Sequence, residues 1–174
     1  MRHLVRLLLV LAAAATVLAG CVAPPSGDEA GSGFTSQPYR DIDIVAVSLP
    51  GDVSVGTPSP WDFRVHNRGA PGENPFIYSG MCVPPWVFVL RDGAGADLAW
   101  SEPMFYCAAY GEATLAGGES RETRWTWNGR LWNAQNEAYE DAPGGSYAVT
   151  VTFEGIGEDQ GQGPSATHRF AVTA

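Results

Sequence analysis

The stretch Pro143-Gly144-Gly145-Ser146-Tyr147-Ala148-Val149-Thr150-Val151-Thr152-Phe153 decides the fold class of this chain. Tyr147, Val149, Val151 and Phe153 recur every second residue, against Ser146, Ala148, Thr150 and Thr152. Side chains of a strand alternate between two faces, so this stripe is a half-buried β-strand introduced by a Pro-Gly-Gly turn. The same period recurs outward along the chain. Ile42, Ile44 and Ala46 alternate with Asp41, Asp43 and Val45, and Trp61, Phe63 and Val65 alternate with Asp62, Arg64 and His66. Trp86 to Leu90, the turn Arg91-Asp92-Gly93-Ala94-Gly95 and the return Ala96 to Trp100 read as a hairpin. Arg121, Thr123, Trp125 and Trp127 share one face of a further strand, opposite Glu122, Arg124 and Thr126. Thr167 to Thr173 is a last strand, after the polar loop Gly155 to Ser165.

No stretch carries a convincing helical period, so the prediction is all-β: an antiparallel β-sandwich of about seven to eight strands, immunoglobulin-like in class. Leu131 to Asp141 stays open between one or two helical turns and a long acidic loop. The five tryptophans in the strands, Trp61, Trp86, Trp100, Trp125 and Trp127, are expected in the core or on a sheet face. Trp125 and Trp127 share parity and point inward together.

The first twenty-one residues carry an address. Arg2, His3 and Arg6 precede an apolar run from Leu7 to Leu18, too short to span a bilayer comfortably and ending in small residues. The ending Leu18-Ala19-Gly20-Cys21 resembles the bacterial lipobox. That resemblance implies removal of residues 1–20 and lipidation of Cys21, and so a lipoprotein on the extracytoplasmic face of the cell membrane or outer membrane. The alternatives are an ordinary signal peptide with a chance Cys, or an uncleaved anchor. Residues 21–38 are Pro-, Ser-, Gly- and acid-rich and read as the lipidated Cys followed by a flexible tether, leaving residues 39–174 as the folded domain.

The chain has 10 Arg, no Lys and 19 acidic residues, a net charge of −9, which becomes −11 once Arg2 and Arg6 leave with the signal. A surface of that sign repels nucleic acid and anionic lipid. Without Lys there is no Schiff-base chemistry, no Walker-type phosphate lysine and no Ser/Lys dyad. Hydrophobic residues at 45% and aromatics at 11% suffice for one core. With Cys21 lipidated, Cys82 and Cys107 are left as a pair in an oxidising compartment and are expected to form one disulfide. The bridge would close a loop of about 25 residues, worth about 3.5 kcal/mol in the chain-entropy picture.

The order of several short motifs is similar to the BsuPI-type intracellular proteinase inhibitor domain. These are Val65-His66-Asn67-Arg68-Gly69, Val87 to Gly93, Ala99-Trp100-Ser101, Leu115-Ala116-Gly117-Gly118-Glu119, Trp125-Thr126-Trp127-Asn128-Gly129 and Pro143 to Val149. Tyr147, just after a turn at the start of a late strand, also resembles the tyrosine corner of immunoglobulin-like domains. The resemblance covers residues 60–153 and implies the fold and, by family name, a protease partner. It brings no inhibitory residue with it, and export is a departure from an intracellular inhibitor.

Function is therefore read as a tethered, non-catalytic binding module that takes a protein partner, with protease inhibition its most concrete version and no cofactor. Candidate binding residues are Met81, Val83 and Pro84, Pro103 and Met104 around the cysteines, and Trp132 and Tyr139 in the amide-rich Arg130–Asp141 connection. Leu131 and Trp132 can equally fold back as a lid on the end of the sandwich. The second reading is a structural or assembly accessory lipoprotein of an envelope complex. The third is a copper relay using Met81, Cys82, Met104, Cys107 and His66, which a disulfide would disable. His66 and His168 are each read as exposed strand residues, no hydrolase motif occurs, and Asp159 is read as part of a solvated hairpin tip.

Overall fold

The computed structural model describes residues 33–80, 85–103 and 111–173, and Met81, Cys82, Val83, Pro84, Met104 and Cys107, like Cys21, lie outside them. The described residues form thirteen strand segments and one short 3-10 turn, Gly157–Asp159. The strands are β1 (Phe34–Gln37), β2 (Ile42–Ser48), β3 (Val53–Ser54), β4 (Ser59–Asn67), β5 (Phe76–Ser79), β6 (Trp86–Asp92) and β7 (Asp97–Leu98). They continue with β8 (Glu112–Leu115), β9 (Ser120–Trp127), β10 (Arg130–Asn133), β11 (Ala138–Asp141), β12 (Gly145–Phe153) and β13 (Ser165–Thr173). The all-β expectation holds. The count exceeds seven to eight because seven of the segments are only two to four residues long.

One sheet runs β1-β13-β12-β6-β7, with β3 joining β13 in parallel; a second runs β2-β4-β9, and β5-β8 and β10-β11 are two-stranded. Every other pairing is antiparallel. The period-two stripes explain how the two larger sheets meet. Ile42, Ile44, Trp61, Phe63, Val65, Trp125 and Trp127 from one sheet and Leu90, Tyr147, Val149, Val151, Phe153, Phe170 and Val172 from the other are all buried in one cluster. Rings cross between them: Trp61 to Phe170 at 5.2 Å, Phe63 to Phe88 at 6.2 Å and Trp127 to Tyr147 at 5.7 Å between centroids. Trp125 and Trp127 are both inward, as their parity requires.

Local chemistry closes the turns. Asp92 Oδ1 accepts hydrogen bonds from the amides of Ala94 and Ala96, and Gly95, at φ +88°, supplies the left-handed position that completes the β6–β7 turn. Tyr147 donates its hydroxyl hydrogen bond to the carbonyl of Pro143 at 2.7 Å, pinning the turn into β12. Asn67, fully buried, donates to the carbonyls of Leu115 and Asn74 and accepts from the amide of Gly69, so one side chain ties three loops.

The structure corrects four expectations. Phe34–Gln37, placed by its polar composition in the tether, pairs with Ser165–His168 as an edge strand, because backbone hydrogen bonding to β13 needs no apolar side chains. Leu131 to Asp141 is neither helix nor open loop but the β10–β11 hairpin. Its reversal is made possible by Glu137 at φ +51°. His168 is buried, not exposed: it shares parity with Ala166, Phe170 and Val172, stacks on Phe170 and has Nε2 3.3 Å from the carbonyl oxygen of Pro50. Asp159 is also buried rather than at a solvated tip, since Tyr39 and Arg40, 120 residues away, close over it.

Candidate functional site

The β10–β11 hairpin brings together two of the candidate residues. Trp132 and Tyr139 are register partners, so their side chains leave the same face. Their rings meet edge to face, 5.1 Å apart at 62°. The hairpin is braced from below: the amide of Trp132 donates to Ala99 O at 2.8 Å, and the Tyr139 hydroxyl accepts from the amide of Glu102 at 3.2 Å. Leu131, on the opposite face, packs against the core. The two faces of the hairpin thus differ: Leu131 packs against the core, while on the other face Tyr139 is 39% exposed and Trp132 half-buried.

Polar groups surround the aromatic pair. Arg130 and Asp141 form an ion pair at 2.9 Å two register steps away on the same face. At the tip Asn136 and Asn133 both donate to Glu140 Oε1 at 2.8 Å, and these bonds, Asn136's the larger in effect, hold the Glu140 carboxyl below its ordinary value. Pro103 is exposed. The remaining candidates, Met81, Val83, Pro84 and Met104, lie outside the described residues, as do Cys82 and Cys107.

Beside the hairpin is a half-open cleft of about 320 Å³. It is lined by Tyr147, Leu98 and Leu131 together with the β6–β7 turn and the Pro143–Ser146 segment. Tyr147 and Asp92 are register partners on β12 and β6. Burial first, and the Asp92 charge second, raise the Tyr147 hydroxyl above its ordinary value. Sequence reading did not find this cleft, because Asp92 and Pro143 are fifty residues apart and meet only through the β6–β12 ladder. The glycines on both turns were its one local signal.

His66 sits half-buried on the outer face of β4, with Nδ1 2.9 Å from Ser120 Oγ and Asp43 as its register partner on the other side. That outer face is laced with ion pairs, Arg124 with Asp62 and Arg64 with Glu122. The hydrogen bond from Arg124 lowers the Asp62 carboxyl. Among the described residues no three His, Cys, Asp or Glu side chains gather in a metal-binding group, and no helix is long and apolar enough to cross a membrane.

No family model and no curated protein matches the chain. Among solved structures it is similar to a β-glucosidase from Listeria innocua in complex with gluconolactone, at TM-score 0.41 and 15% identity. That likeness covers 76% of this chain and 16% of the enzyme. It is also similar to a CARDB domain from Pyrococcus furiosus in complex with di-metal ions, at TM-score 0.38 and 14% identity over 82% of this chain and 89% of that one. A third is a β-D-glucoside glucohydrolase from Trichoderma reesei, at TM-score 0.35 and 9% identity, covering 82% of this chain and 19% of that one. The chain therefore spans under a fifth of either glucosidase, and none of these likenesses bears on its chemistry.

Proposed function

We propose that this chain is a lipid-anchored, non-catalytic binding module of the extracytoplasmic membrane face, built on an immunoglobulin-like sandwich. The observation that carries the binding role is the Trp132–Tyr139 pair on a hairpin braced at Ala99 and Glu102. Two aromatic rings held by strand pairing lose little conformational freedom on contact with a partner, which makes such residues effective anchors at protein interfaces. The anchor rests on Leu18-Ala19-Gly20-Cys21 and the polar segment after it. The immunoglobulin-like class is supported by the Tyr147 hydroxyl bond to Pro143 four residues upstream, the arrangement of a tyrosine corner.

Protease inhibition is the most concrete form of this reading and follows from the BsuPI-type resemblance. It draws support from the ends of the cysteine-bearing segments. The amide of Gly80 donates to Gly111 O at 2.8 Å, extending the β5–β8 ladder. Cys82 lies two residues beyond Gly80 and Cys107 four before Gly111, and six residues of chain at about 3.3 Å each leave ample reach for a disulfide. A bridge there would stiffen the stretches that hold Met81, Val83, Pro84 and Met104.

The test is titration of the oxidised full chain against a panel of serine and metalloproteases at fixed substrate, alongside Trp132→Ala and Tyr139→Ala. Stoichiometric loss of activity without cleavage of the chain, weakened by either substitution, is the expected result. Inhibition unaffected by both would move the binding face off the hairpin. No inhibition across the panel would end the inhibitor reading and leave partner capture by crosslinking to test the module itself.

A further inference from the structure

The cleft beside the hairpin contains a charge without a counter-ion. Asp92 is half-buried, and its Oδ1 is used by the amides of Ala94 and Ala96. Its Oδ2 has no hydrogen-bond partner among the described residues. Seven ion pairs occur among those residues, and none uses Asp92. A carboxylate partly withdrawn from water and left unpaired is a standing attraction for a cation. The walls around it are aliphatic, from Leu98 and Leu131. The rim is stripped of side chains at Gly93, Gly144 and Gly145, so backbone lines the mouth and a chain can approach closely.

We propose that this cleft receives one basic side chain, arginine or lysine, presented by the protein partner. The aliphatic stem of such a residue lies along Leu98 and Leu131 while its charged head reaches Asp92 Oδ2, which is how long cationic side chains divide between apolar and polar surroundings. Charge complementarity favours this occupant: the chain carries a net charge of −9, and an acidic surface draws a basic segment in. The cleft volume, about 320 Å³, holds one such side chain with room to spare. The inference rests on the binding-module reading and deepens it, since Leu131 closes the cleft from the underside of the same hairpin that presents Trp132 and Tyr139.

The experiment follows backbone amide shifts of the full chain in detergent micelles. N-acetyl-Ala-Arg-Ala amide is titrated against the same peptide with citrulline, the uncharged isostere of arginine. The arginine peptide should shift Gly93, Ala94, Gly144 and Gly145 saturably, and the citrulline peptide should bind about tenfold more weakly, the loss expected for one half-screened charge pair. Asp92→Asn keeps the Oδ1 acceptor for the turn and should abolish the difference between the peptides. Ser146→Arg, at an exposed rim position, should block binding by supplying the cation from within. Equal binding of both peptides, an unchanged preference in Asp92→Asn, or no shift at these four amides overturns the proposal. Shifts confined to Trp132 and Tyr139 overturn it too, while leaving the hairpin as the binding face.

Discussion

Three core indoles differ in one atom's company, and that difference predicts an unusual ranking of substitutions. Trp61, Trp125 and Trp127 are each at most 3% exposed. The Nε1 of Trp127 donates to Arg130 O at 2.6 Å, whereas the Nε1 atoms of Trp61 and Trp125 are buried with no hydrogen-bond partner among the described residues. Replacing any of them by Phe removes about 40 Å³ of side chain, which at about 24 cal/mol per Å³ costs about 1 kcal/mol. For Trp127 the lost hydrogen bond adds about 0.5–1.5 kcal/mol, giving a destabilisation of about 2 kcal/mol. For Trp61 and Trp125 the substitution instead deletes an N–H whose burial without a partner costs about 1–3 kcal/mol, so the net change lies between neutral and stabilising by about 2 kcal/mol. The aromatic neighbours survive in each case, since Phe retains a ring where Trp125 meets Trp61 at 4.5 Å and Trp100 at 5.5 Å. Urea unfolding of the three variants, followed by far-ultraviolet circular dichroism, measures the ranking. Trp127→Phe should be the least stable by about 2–4 kcal/mol, with a midpoint of thermal unfolding about 6–12 °C below the other two. Equal losses in all three would refute the argument, because packing alone would then govern the indoles.

Other consequences concern particular contacts. The folded state holds the Tyr147 hydroxyl above its ordinary value of 10.0, so this group contributes stability that is complete below pH 10 and is lost as pH rises through the folded value. Tyr147→Phe should therefore flatten the alkaline loss of stability in denaturant titrations while costing about 1 kcal/mol at neutral pH for the lost bond to Pro143. Asp159, with its side chain 9% exposed, accepts from Tyr39 and pairs with Arg40 at 2.8 Å. Asp159→Asn should cost about 1–2 kcal/mol and speed proteolysis between Gln37 and Asp41. Gly117→Ala should prevent folding, because the added Cβ would overlap the Ala70 carbonyl. Gly56→Ala meets open space and pays only for its φ of +82°, about 1 kcal/mol, so solubility and unfolding midpoints of the two separate steric overlap from backbone strain.

The strands were legible in the sequence wherever one face was apolar at period two. Ile42 and Ile44, Trp61 to Val65, Trp125 with Trp127, and Tyr147 to Phe153 all point as their parity demanded. The hydrophobic effect acts on each residue separately, so a stripe survives without knowledge of the partner strand. What was not legible depended on distant pairing. Phe34–Gln37 joins a sheet by backbone pairing with only Phe34 of its side chains packed on the core, and the β10–β11 hairpin turns at Glu137 in the left-handed region, where a sequence signal would require Gly or Asn. Asp159 looked solvated because the Tyr39 and Arg40 that cover it are 120 residues away. His168 was misread although the signal existed: its parity with Phe170 and Val172 already placed it inward. Of the candidate site, Trp132 and Tyr139 were singled out by composition. Their pairing across a hairpin, and the Asp92 cleft behind it, were not, since both arise from register.

The central claim, a domain held at a membrane by Cys21 to present a binding face, is tested most directly by intact mass and N-terminal fragmentation of the chain taken from the membrane fraction of expressing bacteria. Predicted is a chain that begins at Cys21 with diacylglycerol on its sulfur, and that leaves the membrane fraction unprocessed or soluble in Cys21→Ala. A mature N-terminus elsewhere, or an unmodified Cys21 in a soluble protein, would contradict it.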